Sequence, residues 1–597
     1  MRNGIICFLC VALAAGLLVC AAAQLDFINS KRQEMKLISD EPLKNAPPSL
    51  AFVTAATGAF RGLAVDVLWL RAERMKEEGQ FFDAKQLAEW ITIMQPRFAA
   101  VWQFQAWNMA YNISAAIPAT EPQQRWRWVK NGYELLRDRG IEYNPNSIVL
   151  YYELARIFQH KIAGLTDDDH EYYKLQLAAE MEPLLEPADE QHFKDLSEAA
   201  IDMKQVSQNA GAAGLISELK KADKAFANDD EFVNTYLSLR QNPSRFDPNA
   251  FKVIDGFRGT ETLKKFDIFA KAYYLRNVWK LEPALMQELN RKYGPVSWSD
   301  PNSHPPLDWR HPDTHAIYWA VKGLRTAGRK DILAGDHPVD EINTDRIVVH
   351  SLQNLFRQGA IFIYDIPAKT PDEPAVRKIY LRSDLRMFDA YDKAISMVIE
   401  KYVDPNSSEE SSHQIGYRNM LKNSVLSFYE AGHLQQAQKI YAKLGRLFPS
   451  NKDFKIPLAA FVKNRLREEL RNVSLYDATE NIQMLLRESY FRYAMRDDDE
   501  SFGREKMARE IYDAYYELYT DERNRLDLPD FKMLRYIALM DFLNDDQYPS
   551  TMRLNLIGRI KVERPDLAEQ LTRQEELLRR QQQNQQQQAG EKQTGIY

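Results

Sequence analysis

The chain has 597 residues, with 78 Lys and Arg against 84 Asp and Glu and a formal net charge of −6. A mildly acidic chain with a pI near 6.0 lacks the basic face of a nucleic-acid-binding protein, so this charge balance argues against that class. Only 24 glycines occur, few for an α/β enzyme with many tight catalytic turns, and the dominant residue types favour helix. The length exceeds what one hydrophobic core usually organises, so we expect several helical units.

The first 25 residues are the most distinctive segment. No charged residue lies between Arg2 and Asp26, and the stretch Ile5–Cys20 is almost wholly apolar. Two interpretations stay open: a retained transmembrane anchor over Asn3–Leu25, or a signal peptide cleaved before Gln24. This segment holds every cysteine of the chain: Cys7, Cys10 and Cys20. The rest of the chain has no thiol, which suits an extracytoplasmic, periplasmic location. The leader therefore predicts a membrane-anchored protein, or a secreted one if the leader is removed.

Three later segments share a spacing that predicts helical hairpins. In each, a glycine precedes a small residue by five positions, and in two of them a proline follows that small residue by twelve. We expect glycine to take the left-handed turn after a first helix, and alanine to let the second helix approach closely. The pairs are Gly79 with Ala84, Gly432 with Ala437, and Gly503 with Ala508.

The junctions between these segments resemble tetratricopeptide-type (TPR-like) repeats. After Pro96 the chain reads Trp102-x2-Gln105-Ala106, and after Pro145 it reads Tyr151-x2-Leu154-Ala155, which is similar to the first-helix pattern of that family. The resemblance covers roughly residues 58–185 and 415–525, although the two prolines are 49 residues apart rather than the family's 34. The whole chain also resembles membrane-anchored bacterial helical-repeat proteins of unassigned function. This likeness implies an α-solenoid and a membrane location, but no reaction.

The predicted order along the chain has a specialised insertion between two repeat blocks. Gly294–Pro312 is rich in Pro and Trp and predicts an irregular loop, and a helix is expected over Asp313–Leu324. An apolar run at 360–364 and a return at 377–381 predict a small β-hairpin. The segments are a leader 1–25, a juxtamembrane linker 26–57, N-terminal TPR-like repeats 58–205, a middle helical region 206–293, the insertion 294–410, C-terminal TPR-like repeats 411–565 and a Gln-rich tail 566–597.

Two histidine clusters are the candidates for metal or acid–base chemistry. The first contains an HxxxH pair, whose imidazoles share one face of a helix, with two further ligand types upstream: His304, Asp308, His311 and His315. Its structural alternative is a helix start at Pro312, with His315 packed beside Tyr318 and Trp319. The second joins His160 to Asp167–His170, and its alternative is a helix capped by Thr166 with acids in the first turn. The capping and packing interpretations explain both clusters without a metal, and no cofactor motif is present.

Six of the ten tryptophans fall within residues 69–128, and this region predicts a partner-binding surface. Exposed indoles and guanidinium groups bind peptides or sugars, whereas buried ones fill the layers between helices. Trp126 and Trp128 are about 200° apart on a helix, so one of them is expected at a surface. The candidate partner-binding residues are Trp102, Trp107, Arg125, Trp126, Arg127 and Trp128.

These observations predict an all-α chain: a TPR-like α-solenoid with one N-terminal hydrophobic helix and a small central β-hairpin. No catalytic motif is found, so the expected function is a membrane-tethered scaffold that binds another protein through its solenoid surface. Two alternatives stay open, a metal-binding or enzymatic protein that uses residues 294–324, and a cell-envelope protein that binds glycan through its tryptophans.

Overall fold

The computed structural model describes residues 61–298, 305–326, 338–366, 375–403, 411–470, 474–519 and 528–594, with a few isolated positions besides. The described chain is all-α apart from one two-stranded antiparallel sheet, which confirms the predicted fold class. Contacts divide it into two compact units. The first comprises Met1–Ile361 with Leu381–Ala394, and the second comprises Phe362–Tyr380 with Ile395–Tyr597.

The first unit begins with a series of packed helices, three of which change from α to π geometry near their C-terminal ends. Their bounds are α1 Arg61–Glu77, α2 Phe81–Met94, α3 Ala99–Trp107 continuing through π segment Asn108–Ile113 and Ser114–Ala116, α4 Pro122–Glu134 continuing through π segment Leu135–Gly140 and Ile141–Tyr143, α5 Ile148–Arg156 continuing through π segment Ile157–Ile162, and α6 His170–Leu185.

The remainder of this unit is a middle helical region followed by the predicted insertion. The middle helices are α7 Glu190–Glu198, α8 Met203–Val206, α9 Ala210–Ala222, α10 Phe232–Gln241, α11 Pro248–Gly256, α12 Glu261–Asn277 and α13 Pro283–Tyr293. The insertion contributes α14 Pro312–Leu324 and α15 Pro338–Gln358, and α14 packs on both α5 and α15. The helix expected over Asp313–Leu324 is confirmed, with Pro312 in its first turn.

The expected β-hairpin is also confirmed. Strand β1 spans Ala360–Ile366 and pairs with β2 over Val376–Arg382, and the chain then enters α16 at Phe388–Tyr402. The second unit continues with α17 Ser412–Glu430, α18 Leu434–Leu447, α19 Leu458–Leu470, α20 Leu475–Ala494, α21 Asp498–Leu518, α22 Phe531–Asn544, α23 Ser550–Glu563 and α24 Pro565–Thr594.

Two of the three predicted glycine turns are present as expected. Gly79 and Gly432 have φ of 77° and 83°, the left-handed conformation that glycine adopts without steric cost. At both turns the next residue donates its N–H to the carbonyl five residues earlier, at 2.8 Å for Gln80 to Met75 and 2.9 Å for His433 to Phe428. This pattern closes the carbonyl end of the preceding helix.

The third predicted glycine turn is wrong. Gly503 lies inside α21, and the left-handed residue of that hairpin is Arg496, with φ of 60°. The turn repeats the same hydrogen bond, from Asp497 N–H to Arg492 O at 3.0 Å. Counted from each left-handed residue, the buried small residue five positions later is Ala84, Ala437 or Ser501. The hairpin is therefore of the predicted kind, but its register is shifted by seven residues.

The alanines singled out by spacing are in close contacts between helices. Ala84, Ala437 and Ala508 each have 0% exposure, as the repeat pattern predicts. The two proline junctions also match each other. Trp102 Nε1 donates to Pro96 O at 2.7 Å, and the Tyr151 hydroxyl donates to Pro145 O at 3.1 Å, so an aromatic residue six positions after each proline fastens the turn to the next helix.

The helix start expected at Thr166 is wrong. Helix α6 begins at His170 with Asp169 at its N-cap, and the Asp167 carboxylate instead pairs with Lys161 and Arg125. Asp167 Oδ1 also accepts from Asp169 N at 3.0 Å, so Asp167 lies in the turn that leads into α6 and not in the helix itself.

Apart from isolated positions, the leader lies outside the described residues, and so do all three of its cysteines. Among the residues that are described, no helix combines the length and apolar character needed to cross a bilayer.

Candidate functional site

An unusual stretch of backbone occurs where α3 and α5 lie side by side. Each changes into a six-residue π segment, Asn108–Ile113 and Ile157–Ile162, and these two segments contact each other. π-Helical turns are rare and are frequent at functional sites, because a widened turn moves side chains and carbonyl groups out of helical register. This contact is therefore a candidate position for a site.

Aromatic and cationic side chains gather around Tyr111 at that contact. Its ring lies 6.0 Å from the stacked Trp107 ring and 5.8 Å from the His160 imidazole. The Tyr111 hydroxyl donates to the carbonyl of Arg156, the residue directly before the π segment of α5, at 3.4 Å. Lys76, at the end of α1, lies over the indole of Trp107 at 5.4 Å. We name Lys76, Trp107, Tyr111, Arg156 and His160 the Tyr111 cluster.

Cations lie over the Tyr111 ring as well as beside it. The Arg156 guanidinium is 4.9 Å from the ring centroid, and the Lys161 ammonium is 5.6 Å from it. Both cations are held by carboxylates, Arg156 by Glu153 at 2.9 Å and Lys161 by Asp167 at 2.5 Å. Burial raises the pKa of Tyr111, so its hydroxyl stays protonated and acts as a donor. Partial desolvation, followed by the charges of Arg156 and Lys161, lowers the pKa of His160, which favours its neutral imidazole.

The Tyr111 cluster is only partly accessible, as a recognition site requires. His160 is exposed, Lys76, Trp107 and Tyr111 are half-buried, and the Arg156 side chain keeps 26% of its exposure. Its polar and aromatic atoms are fixed in place by neighbours on three helices. Such preorganised aromatic and guanidinium groups lose little entropy when a ligand binds.

Three of the predicted partner-binding residues are buried in the body of the first unit. Trp102 is 0% exposed and Trp126 is 7% exposed, stacked on Tyr173 at 5.7 Å. Arg125 is 6% exposed, donates Nε to Ser114 O at 3.2 Å and pairs with Asp169 at 2.9 Å. Because all three side chains are buried, and the polar atoms of Trp102 and Arg125 are bonded within the unit, these residues support the fold and do not form an exposed surface.

The other three predicted residues reach the surface, but in two different places. Trp107 belongs to the Tyr111 cluster. Trp128 is half-buried on α4, where it meets the exposed Phe82 edge-on at 5.6 Å with the Lys85 ammonium 5.9 Å from its ring, and Arg127 is exposed beside it. The expectation that one of Trp126 and Trp128 faces outward is confirmed, with Trp128 as the outward one.

The histidines of the insertion do not converge on a common point in the described residues. His311 is the N-cap of α14: Nδ1 accepts from Asp313 N at 3.2 Å, and Nε2 donates to Gln358 O at 3.1 Å. His315 Nε2 donates to Trp309 O at 2.8 Å, and its ring stacks on Phe158 at 5.1 Å rather than beside Tyr318 and Trp319.

The acidic member of this candidate set is also engaged elsewhere. Asp308 pairs with Arg310 at 2.8 Å, and His304 lies outside the described residues. Among the residues that the structure does describe, no three His, Cys, Asp or Glu side chains come together as a metal site.

Next to these histidines is a buried acid, Asp313, which the sequence pattern placed only at the start of a helix. Asp313 is 0% exposed, and its Oδ1 accepts from Asn354 Nδ2 at 3.2 Å while Oδ2 has no hydrogen-bond partner. Burial raises the pKa of Asp313 to about 7, and burial lowers the pKa of the nearby Lys174 to about 8. Lys174 Nζ donates to Gly164 O at 2.9 Å and contacts His170 Nδ1 at 3.0 Å.

Sequence reasoning also missed Tyr111 and Arg156 of the Tyr111 cluster. The signal available in the sequence was the four-residue spacing of Trp107 and Tyr111, which places both rings on one side of α3. The π segments that bring them to Arg156 and His160 leave no composition signal of their own. In comparisons with known proteins, no family model and no curated protein matches this chain.

Proposed function

We propose that the chain is a TPR-like helical-repeat scaffold that binds a protein partner at the Tyr111 cluster, and that its N-terminal leader tethers it to a membrane. The observation that carries the binding proposal is the contact between two π segments, which presents Trp107, Tyr111 and Arg156 together at a partly exposed edge. Tryptophan, tyrosine and arginine are the residue types that dominate the energetics of protein interfaces.

The repeat assignment is supported by recurrence within the chain. Three hairpins share one turn geometry, with a left-handed residue, the same backbone hydrogen bond and a fully buried small residue five positions on. Two junctions share the proline-to-aromatic hydrogen bond described above. Recurrence of this kind is typical of arrays in which each unit buries its apolar side against the next.

The chemistry of the Tyr111 cluster favours a partner segment with both an apolar and an acidic side chain. Trp107 and Tyr111 offer aromatic faces, which bury well against aliphatic or aromatic groups. Lys76 adds a cation at the edge of the same face, 5.4 Å from the Trp107 ring and 5.5 Å from the Phe104 ring. An acidic residue on the partner would meet that ammonium while its neighbour packs on the indole.

Site-specific photocrosslinking in native membranes tests the binding site. A benzophenone side chain in place of Trp107 should yield a discrete protein adduct, and the same group in place of Tyr476, which is 71% exposed in the second unit, should not. A second experiment places the benzophenone at His160 and adds Lys76→Glu, which reverses the charge beside the Trp107 ring. This change should remove the adduct but leave the thermal midpoint of the protein unchanged. Equal adducts from positions 107 and 476 would contradict the proposal.

A second candidate, glycan binding, rests on the surface around Trp128. Phe82 is 59% exposed and meets Trp128 at 5.6 Å, which leaves an aromatic face of the kind on which sugar rings stack. Pull-down of purified envelope polysaccharide should then fall with Trp128→Ala. Trp107→Ala is the matched control, since it removes an indole from the other surface.

A further inference from the structure

The exposed edge of the Tyr111 cluster offers hydrogen-bond donors that no described residue accepts. Glu153 binds the Arg156 guanidinium through Nε and Nη2, at 3.2 and 2.9 Å, so Nη1 has no hydrogen-bond partner within the described chain. His160 meets the Tyr111 ring at 5.8 Å, and neither of its ring nitrogens is hydrogen-bonded to a described residue. Arg156 and His160 are four residues apart along α5 and its π segment, and both reach solvent beside the same tyrosine.

Positive charge exceeds negative charge at this edge. Arg156 and Lys161 have carboxylate partners, as described above, but Lys76 forms no ion pair with a described residue and lies over aromatic rings instead. A further positive charge on His160 is therefore disfavoured in the free protein, where desolvation and then the charges of Arg156 and Lys161 lower the pKa of its imidazole. An anion bound at this edge would favour the charged imidazole.

Charged and titratable groups on the other helices packed against α5 are engaged elsewhere. They are Arg125 of α4 with Asp169, Lys174 of α6 with Gly164 O, and His315 of α14 with Trp309 O. The hydroxyl of Tyr111, on α3, donates to the Arg156 carbonyl. Helix α15 carries a second exposed imidazole, His350, whose pKa is lowered by burial and then by Arg346. His350 forms no hydrogen bond, ion pair or ring contact with the Tyr111 cluster, so it provides a control for His160.

We infer that the partner segment carries a second acidic group, which binds between Arg156 and His160, and that His160 takes up a proton as this group binds. The inference rests on the binding proposal above and deepens it, because Lys76, which meets the first acidic group, lies at the other end of the face formed by Trp107 and Tyr111. A carboxylate here accepts from Arg156 Nη1 and from the imidazolium, and both hydrogen bonds are charge-assisted. The partner segment then has an apolar side chain between two acidic ones.

Proton uptake fixes the sign of the pH dependence of binding. The bound carboxylate raises the pKa of His160, so the affinity rises as the pH falls toward the pKa of the free imidazole and is level below it. Carboxylates of the partner stay ionised above about pH 5. One proton taken up changes the affinity by at most about tenfold per pH unit. A partner that buried the neutral imidazole would give the opposite sign, because protonation would then oppose binding.

Photocrosslinking at two pH values tests this inference. The probe is the full chain with a benzophenone side chain in place of Trp107, in isolated native membranes, and the initial rate of adduct formation is measured at about pH 7.5 and about pH 5.5. We expect this rate to rise at least about fivefold at the lower pH.

Three variants of the probe chain assign the proton to one residue. His160→Gln is neutral at both pH values, so its rate should change by less than about twofold. His160→Lys is charged at both, so it should react at both pH values about as fast as the probe chain does at about pH 5.5. His350→Gln is the matched control, since it removes the exposed imidazole of α15, and it should keep the full increase.

The outcomes distinguish this inference from the binding proposal on which it rests. A rate that is independent of pH, or that falls at the lower pH, would overturn the inference and leave the binding site in place. An increase that persists in His160→Gln would assign the proton to the partner or to another residue, and this too overturns it. No adduct at either pH would remove the binding proposal and the inference together. Equal thermal midpoints of the variants at each pH confirm that they are folded.

Discussion

Trp309 shows how one side chain can hold the start of α14. It is 1% exposed, its Nε1 donates to Asn290 Oδ1 at 2.9 Å, and its carbonyl accepts from His315. The composition of Gly294–Pro312 predicts a loop whose tryptophans have apolar surface to bury, and Trp309 is buried. The composition does not predict the hydrogen-bond acceptor of the Trp309 indole, because Asn290 is 19 residues earlier and its side chain is placed by α13.

Truncating Trp309 should therefore be costly. We expect Trp309→Ala to lower the free energy of unfolding by about 3–5 kcal/mol, because it leaves a cavity and removes one of the two hydrogen bonds to the Asn290 amide oxygen, the other being donated by Leu307 N. Trp298, from the same Pro- and Trp-rich segment, is 42% exposed, so Trp298→Ala should cost about 1 kcal/mol or less. Urea denaturation of both variants checks the difference, and equal losses would contradict it.

Asp313 should give the fold a measurable pH dependence. Burial raises its pKa to about 7 from about 3.9 in an unfolded chain, so its stabilising contribution is complete below pH ~4 and is lost as the pH rises through about 7. Asp313→Asn stays neutral and can still accept from Asn354. Relative to the unmodified chain, we expect this variant to gain about 2–3 kcal/mol in free energy of unfolding between about pH 5 and about pH 8.

Comparing the unmodified chain with the Asp313→Asn variant separates the pH dependence due to Asp313 from that of the neighbouring histidines. Burial lowers the pKa of His311 and of His315 to about 4, so each contributes stability above pH ~6.5 that is lost as the pH falls through about 4. Both chains keep these histidines, and their effect cancels in the difference. Denaturation curves at both pH values give the result, and a difference independent of pH would show that Asp313 does not titrate in this range.

At the scale of elements, the turns show what local sequence predicts and where tertiary packing takes over. Gly79 and Gly432 are identified correctly because glycine is the residue that adopts positive φ without cost. Arg496 adopts the same left-handed conformation although a non-glycine residue disfavours it, and no local sequence pattern predicts this. The π segments and the Tyr111 cluster were missed for a related reason, because the helices that meet there are about 45 residues apart in sequence. Helix type, the hairpin in the insertion and the buried alanines followed from periodicity and spacing.

Gly503 has a different role from the one its spacing indicated. A Cβ at this position would lie 2.3 Å from the carbonyl carbon of Ala431, so α21 crosses the end of α17 at a distance that only glycine permits. We expect Gly503→Ala to destabilise the chain by about 1–3 kcal/mol through overpacking against backbone.

Gly558 is the matched control, because it also lies inside a helix but a Cβ added there would meet no neighbouring atom within 4 Å. Gly558→Ala should stabilise the chain by about 0.5–1 kcal/mol through helix propensity alone. Thermal unfolding of both variants tests the pair. Changes of the same sign would show that α17 and α21 can separate without cost.

At the scale of the whole molecule, the two units are interleaved in sequence. Residues 381–394 belong to the first unit although they follow β1, which extends into the second. Leu385 and Met387 are 2% and 3% exposed, and Phe388 packs against Phe356 at 6.3 Å. The domain boundaries drawn from composition place this stretch with the rest of the insertion, because a return of the chain to an earlier unit changes neither composition nor periodicity.

The interleaving predicts how the chain can be cut. A fragment of residues 61–394 retains every described residue of the first unit's helical body, so we expect it to unfold cooperatively and to resist limited proteolysis. A fragment of residues 61–361 loses the backbone hydrogen bonds from Val296 to Arg386 and from Asp384 to Phe356, at 3.0 and 3.1 Å, together with the apolar side chains that follow them. It should have a lower thermal midpoint and be cleaved first near α15, which is left with an uncovered apolar side. Equal midpoints for the two fragments would show that 381–394 is not part of the first unit's core.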